Sequence, residues 1–180
     1  MTALLRKLAL QDKVALITGG GRGIGAACAK LFAQNGAKVV ITSRTQGDLD
    51  KVVDQITDTG KVFAIPTDIG DEKCVLELFK QVERRFGPVD IMVNNAAVIA
   101  RGEVTEFEVS EWDELMRVNL RGSFLCAREA FRQMKASRRG GSIVNVSSLG
   151  GIRGTEKFKG FSAYTVSKHG IVGLTSKSRA

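Results

Sequence analysis

Short, nearly continuous apolar runs alternate along the chain with longer segments in which apolar residues recur at helical spacing. Such runs predict strands buried on both faces of a parallel sheet, with helices between them. The predicted strands are Lys13–Thr18, Lys38–Thr42, Lys61–Pro66, Val89–Val93 and Ser142–Val146. The predicted helices are Gly23–Asn35, Gly47–Thr59, Asp71–Phe86, Glu111–Ala136 and a last one from Phe161 onward.

Strict alternation of strand and helix predicts the α/β class. Right-handed crossovers then give a Rossmann-type, doubly wound parallel sheet with strand order 3-2-1-4-5, whose ligands bind beyond the carboxyl ends of the strands. A length of 180 residues fits a single domain over residues 1–180. No further strand follows the last helical pattern, so we expect a sheet that stops at its fifth strand with an uncovered edge.

The link between the first strand and the first helix is rich in glycine, with the sequence TGGGRGIG. Glycine lets the backbone approach a pyrophosphate, and a helix N-terminus offers unpaired N–H groups to it. The frame stays open, because Gly21, Gly23 and Ala26 also fit the G-x-G-x-x-A dinucleotide pattern. A plain glycine turn is the alternative. The candidate cofactor-binding residues in this loop are Thr18, Gly19, Gly21, Arg22, Gly23, Ile24 and Gly25.

The end of the second strand bears on which dinucleotide would bind. An acidic residue at this point typically binds the ribose 2′-hydroxyl of NAD. This chain instead has Thr42-Ser43-Arg44, and the forked guanidinium of Arg44 suits a phosphate on that hydroxyl. Arg22 could face the same group. The sequence therefore predicts NADP(H) as the preferred cofactor, with NAD(H) as the alternative if both arginines are ordinary surface residues.

Two further strand ends carry candidate cofactor-binding residues. Asp68 follows the third strand, where its carboxylate could accept from an adenine amine or cap the helix that starts near Asp71. The fourth strand runs into Asn95, Ala96 and Ala97, whose small side chains would let the backbone pass close to a flat ligand or simply form a turn.

The formal net charge of +8, from 27 Lys and Arg against 19 Asp and Glu, indicates an anionic partner. The basic residues are spread along the chain, and the densest cluster, Arg138 and Arg139, is interpreted as a solvated helix end. Neither a nucleic-acid-binding module nor interleaved aromatics accompany them, so we expect no nucleic-acid partner.

Three widely separated cysteines, Cys28, Cys74 and Cys126, lack the paired spacing of a metal site or a disulfide framework. We therefore expect no metal and a reducing compartment. Residues 1–11 are too short an apolar run for a signal peptide or a membrane span. These observations predict a cytoplasmic protein that does not contact a membrane.

Candidate acid/base chemistry lies near the end of the chain. The fifth strand runs into Ser147 and Ser148, and Tyr164 and Lys168 follow four positions apart, on one face of the predicted last helix. A neighbouring ammonium favours the phenolate form of a tyrosine, and a serine hydroxyl can donate to the same carbonyl oxygen. An ordinary amphipathic helix face is the alternative for this pair.

Taken in order, Thr18 to Gly25, Asn94 to Ala97, Asn119, Ser148, and the pair Tyr164 and Lys168 make the chain resemble the short-chain dehydrogenase/reductase family over roughly residues 10 to 175. The resemblance implies that Tyr164 exchanges the proton and that Lys168 assists it and holds the nicotinamide ribose.

The same resemblance implies that Ser148, followed by two residues and a glycine, polarises the substrate oxygen. Asn119 would steady a proton relay to Lys168, although a helix-interior asparagine without a role is the alternative. The implied reaction is hydride transfer between a nicotinamide and a small carbonyl or alcohol substrate. The implied assembly is a homo-oligomer formed through the last two helices of the full-length protein.

The chain departs from the family at two places. Ala97 stands where the family has glycine, and the last two strands of the family domain do not follow the final helix. We therefore expect a C-terminally truncated domain. The rival hypothesis is a catalytically inactive fragment that retains cofactor binding or subunit pairing.

Overall fold

The computed structural model describes residues 9–56, 61–152 and 159–177. Five strands form one parallel sheet with the order β3-β2-β1-β4-β5, as the sequence predicts. Their bounds are β1 Val14–Thr18, β2 Lys38–Ser43, β3 Val62–Pro66, β4 Ile91–Asn94 and β5 Ser142–Asn145. The register pairs Ile17 of β1 with Ile41 of β2 and with Val93 of β4, so these strands end side by side.

Helices pack on both faces of this sheet. Their bounds are α1 Gly23–Gln34, α2 Gln46–Asp54, α3 Glu72–Phe86, α4 Val109–Leu115, α5 Ser123–Ser137 and α6 Ser162–Lys177. Gly36 and Gly87 follow α1 and α3 with positive φ, the conformation that ends a helix at a glycine. The second helix ends at Asp54, and its predicted end at Thr59 lies outside the described residues.

The predicted long helix Glu111–Ala136 is wrong as a single regular element. A π-helical segment, Met116–Gly122, separates α4 from α5 without breaking the helical path. Such segments are rare and occur mainly as local bulges, often at functional sites. Hydrophobic periodicity did not reveal it, because the wider turn depends on hydrogen bonds made within it.

Two buried apolar clusters hold the layers together, one on each face of the sheet. Because side chains alternate along a strand, Leu16 points to one face and Ile17 to the other. The Leu16 cluster packs against α3 and α5, and includes Val75, Leu78, Phe79, Leu125, Ala130 and Met134. The Ile17 cluster packs against α1 and α2, and includes Ala29, Ala33, Leu49 and Val52.

Arg138 and Arg139 lie exposed at the end of α5, as predicted, and Arg139 also pairs with a buried carboxylate. Its Nη2 lies 3.2 Å from Oδ1 of Asp90, a carboxylate whose side chain is only 5% exposed. The same carboxylate accepts from the backbone N–H of Val14 at 3.0 Å. Buried charges need such partners, so Arg139 contributes to the fold.

Among the described residues, no helix is both long and apolar enough to cross a membrane.

Candidate cofactor and catalytic site

A cavity of about 400 Å³ lies beyond the carboxyl ends of the strands, where ligands of doubly wound sheets bind. Nine of the predicted cofactor-binding residues line it: Gly19, Gly21, Arg22, Ile24, Arg44, Asp68, Asn95, Ala96 and Ala97. The other eight lining residues were not predicted from the sequence: Thr42, Ser43, Thr45, Asp48, Thr67, Ile69, Val98 and Val118. Of these, Ser43, Thr45 and Thr67 lie at or just after the end of a strand, and that position could have identified them.

The glycine loop is shaped by two close approaches of backbone to backbone. Gly19 has φ +66°, and a Cβ there would lie 2.8 Å from the Ala96 Cα. A Cβ on Gly25 would overlap the Gly19 carbonyl oxygen. Glycine is therefore required for packing at positions 19 and 25, and also at Gly20, where a Cβ would lie 2.6 Å from the Cβ of the buried Ile41. Helix α1 starts between them at Gly23, and among the described residues no side chain caps its first N–H groups.

Thr18 and Asn95 brace this loop against the end of β4. The Thr18 hydroxyl accepts from the N–H groups of Asn95 and Ala96, both at 3.1 Å. In return, Nδ2 of Asn95 donates to the carbonyl oxygens of Thr18 at 2.9 Å and Gly19 at 3.1 Å. These bonds fix the floor of the cavity before any ligand arrives.

Charged groups alternate along the rim of the cavity. Arg44 Nη1 lies 3.4 Å from Glu114 of α4, and Arg117 Nε lies 2.6 Å from the same carboxylate. Arg117 also reaches Asp68 at 2.9 Å. The suggestion that Asp68 caps the next helix is wrong: its other oxygen accepts from the N–H of Gly70, and Asp71 is the residue that caps α3.

Lys168 is anchored to the end of β5. Its Nζ donates to the carbonyl oxygen of Val146 at 2.8 Å, and the residue is only 3% exposed. Burial lowers the pKa of Lys168, because desolvation disfavours the charged ammonium. The ammonium nitrogen lies 5.6 Å from the centre of the Tyr164 ring, so the predicted pair does share one face of α6.

The two serines after β5 have different partners. Ser147 donates to the main-chain oxygen of Lys168 at 3.1 Å, which ties the strand end to α6. The Ser148 hydroxyl accepts from the N–H of Gly150 at 3.2 Å and starts a short 3₁₀ turn, Leu149–Gly151. Ser147 is thus engaged in packing, whereas Ser148 retains its O–H for donation to another group.

Asn119 joins three parts of the site. Its side-chain oxygen accepts from Val98 N–H at 2.8 Å, while its Nδ2 donates to Val98 O at 3.0 Å and to Ser167 Oγ at 3.1 Å. Ser167 in turn donates to the Tyr164 carbonyl oxygen at 2.7 Å. Asn119 is 1% exposed, so it connects the π-helical segment, the chain after β4 and α6 from within the core.

The described residues contain no group of three or more His, Cys, Asp and Glu side chains placed to hold a metal ion. The cavity brings together the glycine loop, the N-terminus of α1 and two arginines. The predicted catalytic residues Asn119, Ser148, Tyr164 and Lys168 are not among its lining residues. Thr42 Oγ1, at the cavity wall, is buried and has no hydrogen-bond partner among the described residues. Such a group is satisfied when a ligand or water supplies the missing partner.

The amino-acid sequence of this chain is similar to those of known oxidoreductases. Residues 13–180 match the family model described as short chain dehydrogenase. An uncharacterized oxidoreductase of Thermotoga maritima is 38% identical over 167 residues, covering 92% of this chain and 64% of the relative. Versicolorin reductase of Emericella nidulans is 43% identical over 141 residues, covering 77% of this chain and 52% of the relative.

The crystal structure of levodione reductase superimposes with a TM-score of 0.87 at 34% identity. The match covers 94% of this chain and 66% of that structure. The chain therefore spans roughly half to two thirds of the length of these proteins.

Proposed function

We propose that this chain, which belongs to the short-chain dehydrogenase/reductase family, is an oxidoreductase that interconverts a small ketone or aldehyde and the corresponding alcohol. The observation that carries the proposal is the pair on α6: a tyrosine with the buried ammonium of Lys168 5.6 Å from its ring centre. The printed names of two similar proteins, versicolorin reductase and levodione reductase, support this reaction class.

The cavity fits a nicotinamide dinucleotide. The uncapped N-terminus of α1 suits its pyrophosphate, because helix N-termini attract anions. Asp68 offers a hydrogen-bond acceptor further along the cavity, and Ala96 and Ala97 leave room for a flat ring. When bound, the nicotinamide supplies or accepts the hydride.

The proton is handled by the chain's own residues. In the reducing direction Tyr164 gives its phenolic proton to the substrate oxygen, and the Lys168 ammonium stabilises the phenolate left behind. Ser148 donates to the same oxygen and stabilises the negative charge that develops there. Asn119 is the positioning residue that holds Ser167, and with it the backbone at Tyr164, in place.

NADP(H) is the proposed cofactor, with NAD(H) as the weaker ligand. Arg22 and Arg44 both line the cavity, and Arg44 stands directly after β2, where an NAD-binding site usually has an acid. A guanidinium can bind a phosphate through two parallel N–H donors. The two arginines, one of them paired with Glu114, give no reason to invoke nucleic acid as a partner.

A homo-oligomer is proposed to form through α5 and α6. An open, mostly apolar trough of about 740 Å³ lies between the π-helical segment and α6, next to the start of α5, and it is lined by Asp113, Met116, Arg117, Leu120, Arg121, Phe124, Gly170 and Leu174. A second copy fits it because paired faces of like helices bury such surfaces in symmetric dimers.

The free thiols of Cys28, Cys74 and Cys126 support a location in the cytoplasm.

The deciding experiment is the substitution Tyr164→Phe in the full chain, assayed with NADPH and a panel of small ketones. Removing one hydroxyl abolishes the proton transfer, so we expect the reduction rate to fall by about 10²- to 10⁴-fold. NADPH affinity, measured by fluorescence titration, should stay unchanged. Ser176→Ala, which removes a hydroxyl near the end of the same helix, serves as the control. Retention of most of the rate by Tyr164→Phe would rule out Tyr164 as the acid/base.

A further inference from the structure

The rim of the cavity contains a row of four alternating charges, Arg44, Glu114, Arg117 and Asp68. Two of them line the cavity, Arg44 and Asp68. Glu114 sits between the arginines on α4, outside the cavity lining, and contacts both guanidinium groups. Because Glu114 contacts Arg44 from outside the cavity, it can alter how Arg44 binds a ligand.

Glu114 holds its two arginines with different strength. Arg117 uses two donors, Nε at 2.6 Å and Nη2 at 3.0 Å, on the two oxygens of Glu114. A third donor of Arg117 binds Asp68 at 2.9 Å, and a side chain at Gly70 would overlap this guanidinium, so the turn makes room for it. Hydrogen bonding to Glu114 raises the pKa of Arg117, and Arg117 lowers the pKa of Glu114, so both remain charged at neutral pH.

The contact between Glu114 and Arg44 is much weaker. It is made at 3.4 Å, near the limit for a hydrogen bond, with side chains 60% and 39% exposed. Exposed ion pairs of this kind contribute little free energy, and they exchange readily for a better partner. Arg44 is therefore held close to the cavity by Glu114 while remaining able to turn toward a ligand phosphate.

We propose that Glu114 is a specificity-determining residue that competes with the ligand's 2′-phosphate for Arg44 and so limits the preference for NADP(H) over NAD(H). The inference rests on the proposed role of Arg44. A ligand without that phosphate gains nothing from Arg44, so the competition changes affinity for NADPH and leaves affinity for NADH unaffected. Specificity is a difference between two affinities, and a competing charge reduces one of them selectively.

The test is Glu114→Gln in the full chain, with dissociation constants for NADPH and NADH measured by fluorescence titration. Glutamine keeps the shape and a hydrogen-bond acceptor for Arg117 but removes the charge. We expect NADPH affinity, and with it the NADPH-to-NADH preference, to rise by about two- to fivefold, the range of exposed ion pairs. Glu111→Gln removes the same charge one turn earlier on α4 and should leave the preference unchanged.

The double variant Arg44→Ala/Glu114→Gln identifies the route of the effect. If Glu114 acts through Arg44, the gain seen in Glu114→Gln disappears once Arg44 is absent. A gain that persists without Arg44, or that Glu111→Gln reproduces, would overturn the proposal in favour of a general charge effect. An equal change in both affinities would overturn it in favour of a structural role through Arg117.

The two single variants separate failure of this inference from failure of the proposed function. A wild-type chain that binds both cofactors equally, with no change in Arg44→Ala, refutes the NADP(H) assignment and this inference together. A wild-type preference that Arg44→Ala removes and Glu114→Gln leaves unaltered refutes the role of Glu114 alone.

Discussion

Arg44 projects from the end of β2 with its side chain 60% exposed, at the cavity but not buried in it. A surface arginine contributes little to the free energy of folding, so any importance of Arg44 must come from what it binds. What it offers is a forked donor next to the site proposed for the adenosine ribose. Its effect should therefore be seen in the binding of one cofactor and not in stability.

We expect Arg44→Ala to lose about ten- to a hundredfold in NADPH affinity, because a hydrogen bond to a charged group contributes roughly 1.5 to 3 kcal/mol. NADH affinity and thermal unfolding should hardly change. Arg132→Ala removes a similarly exposed arginine, 62% against 60%, from α5 and is the matched control. Isothermal titration with both cofactors measures the effect, and a parallel loss for NADH would contradict the assignment.

Lys168 offers a second test at this scale, through stability. Burial lowers its pKa in the folded chain below the usual 10.5, so the unfolded chain binds the proton more tightly. Stability therefore rises with pH between the lowered pKa and the ordinary value, as the cost of the buried charge is relieved. Relative to Lys168→Met, the wild type should gain free energy of unfolding as pH increases through this window. Urea denaturation at several alkaline pH values measures it, and a constant difference would show that burial has no such cost.

At the scale of elements, the π-helical segment between α4 and α5 builds the side of the site that is proposed to be catalytic. It presents Asn119 toward Val98 and Ser167, so one side chain links three elements that are distant in sequence. The Asn119 carbonyl oxygen also accepts from Ser123 Oγ at 2.8 Å, which supports the chain where the helix resumes its regular turn.

Substituting Asn119 by Ala leaves two polar groups unpaired, Val98 N–H and Val98 C=O, while Ser167 Oγ keeps its bond to the Tyr164 carbonyl oxygen. An unsatisfied buried group costs about 1 to 3 kcal/mol, so the free energy of unfolding should fall by roughly 2 to 4 kcal/mol after partial relaxation. Ser167→Ala removes the bonds to Asn119 and Tyr164 but keeps both Val98 groups paired, so it should cost less, about 1 kcal/mol. Chemical denaturation measures both variants, and equal losses would contradict a bridging role for Asn119.

At the scale of the whole molecule, the helices on both faces of the sheet leave apolar side chains exposed. The face that carries α5 and α6 includes the trough described above and exposed apolar side chains such as Phe124, 45% exposed, and Val172, also 45% exposed. Contiguous exposed apolar surface in a folded chain usually marks an interface. Ligand binding would thus use the carboxyl ends of the strands, and assembly would use the outer helices.

We expect Phe124→Glu to shift the full chain from dimer toward monomer, because the new carboxylate would lose its hydration at the interface. Leu31→Glu places the same charge on α1, where Leu31 is 56% exposed, and should leave the assembly intact. Sedimentation velocity distinguishes the two outcomes. Monomer in the wild type at micromolar concentration would refute the proposed pairing.

The α/β class, the five strands, the strand order and the helix starts to within a few residues were all predictable from the sequence. The physical reason is that buried parallel strands require continuous apolar runs, while a glycine between strand and helix is required wherever backbones meet. The same pattern indicated Gly19 and Gly25, and it placed Tyr164 and Lys168 on one helix face. Their roles in catalysis remain predictions.

Which side chains meet was settled by the packing of the elements. Arg117 and Glu114 carry no recognisable spacing relative to Asp68 and Arg44, and they come together because α4 and the π-helical segment lie against the chain just after β2 and β3. The bridging by Asn119 likewise depends on partners distant in sequence, Val98 and Ser167. Local patterns report burial and turn chemistry, whereas long-range hydrogen bonds and ion pairs form only after the layers have packed.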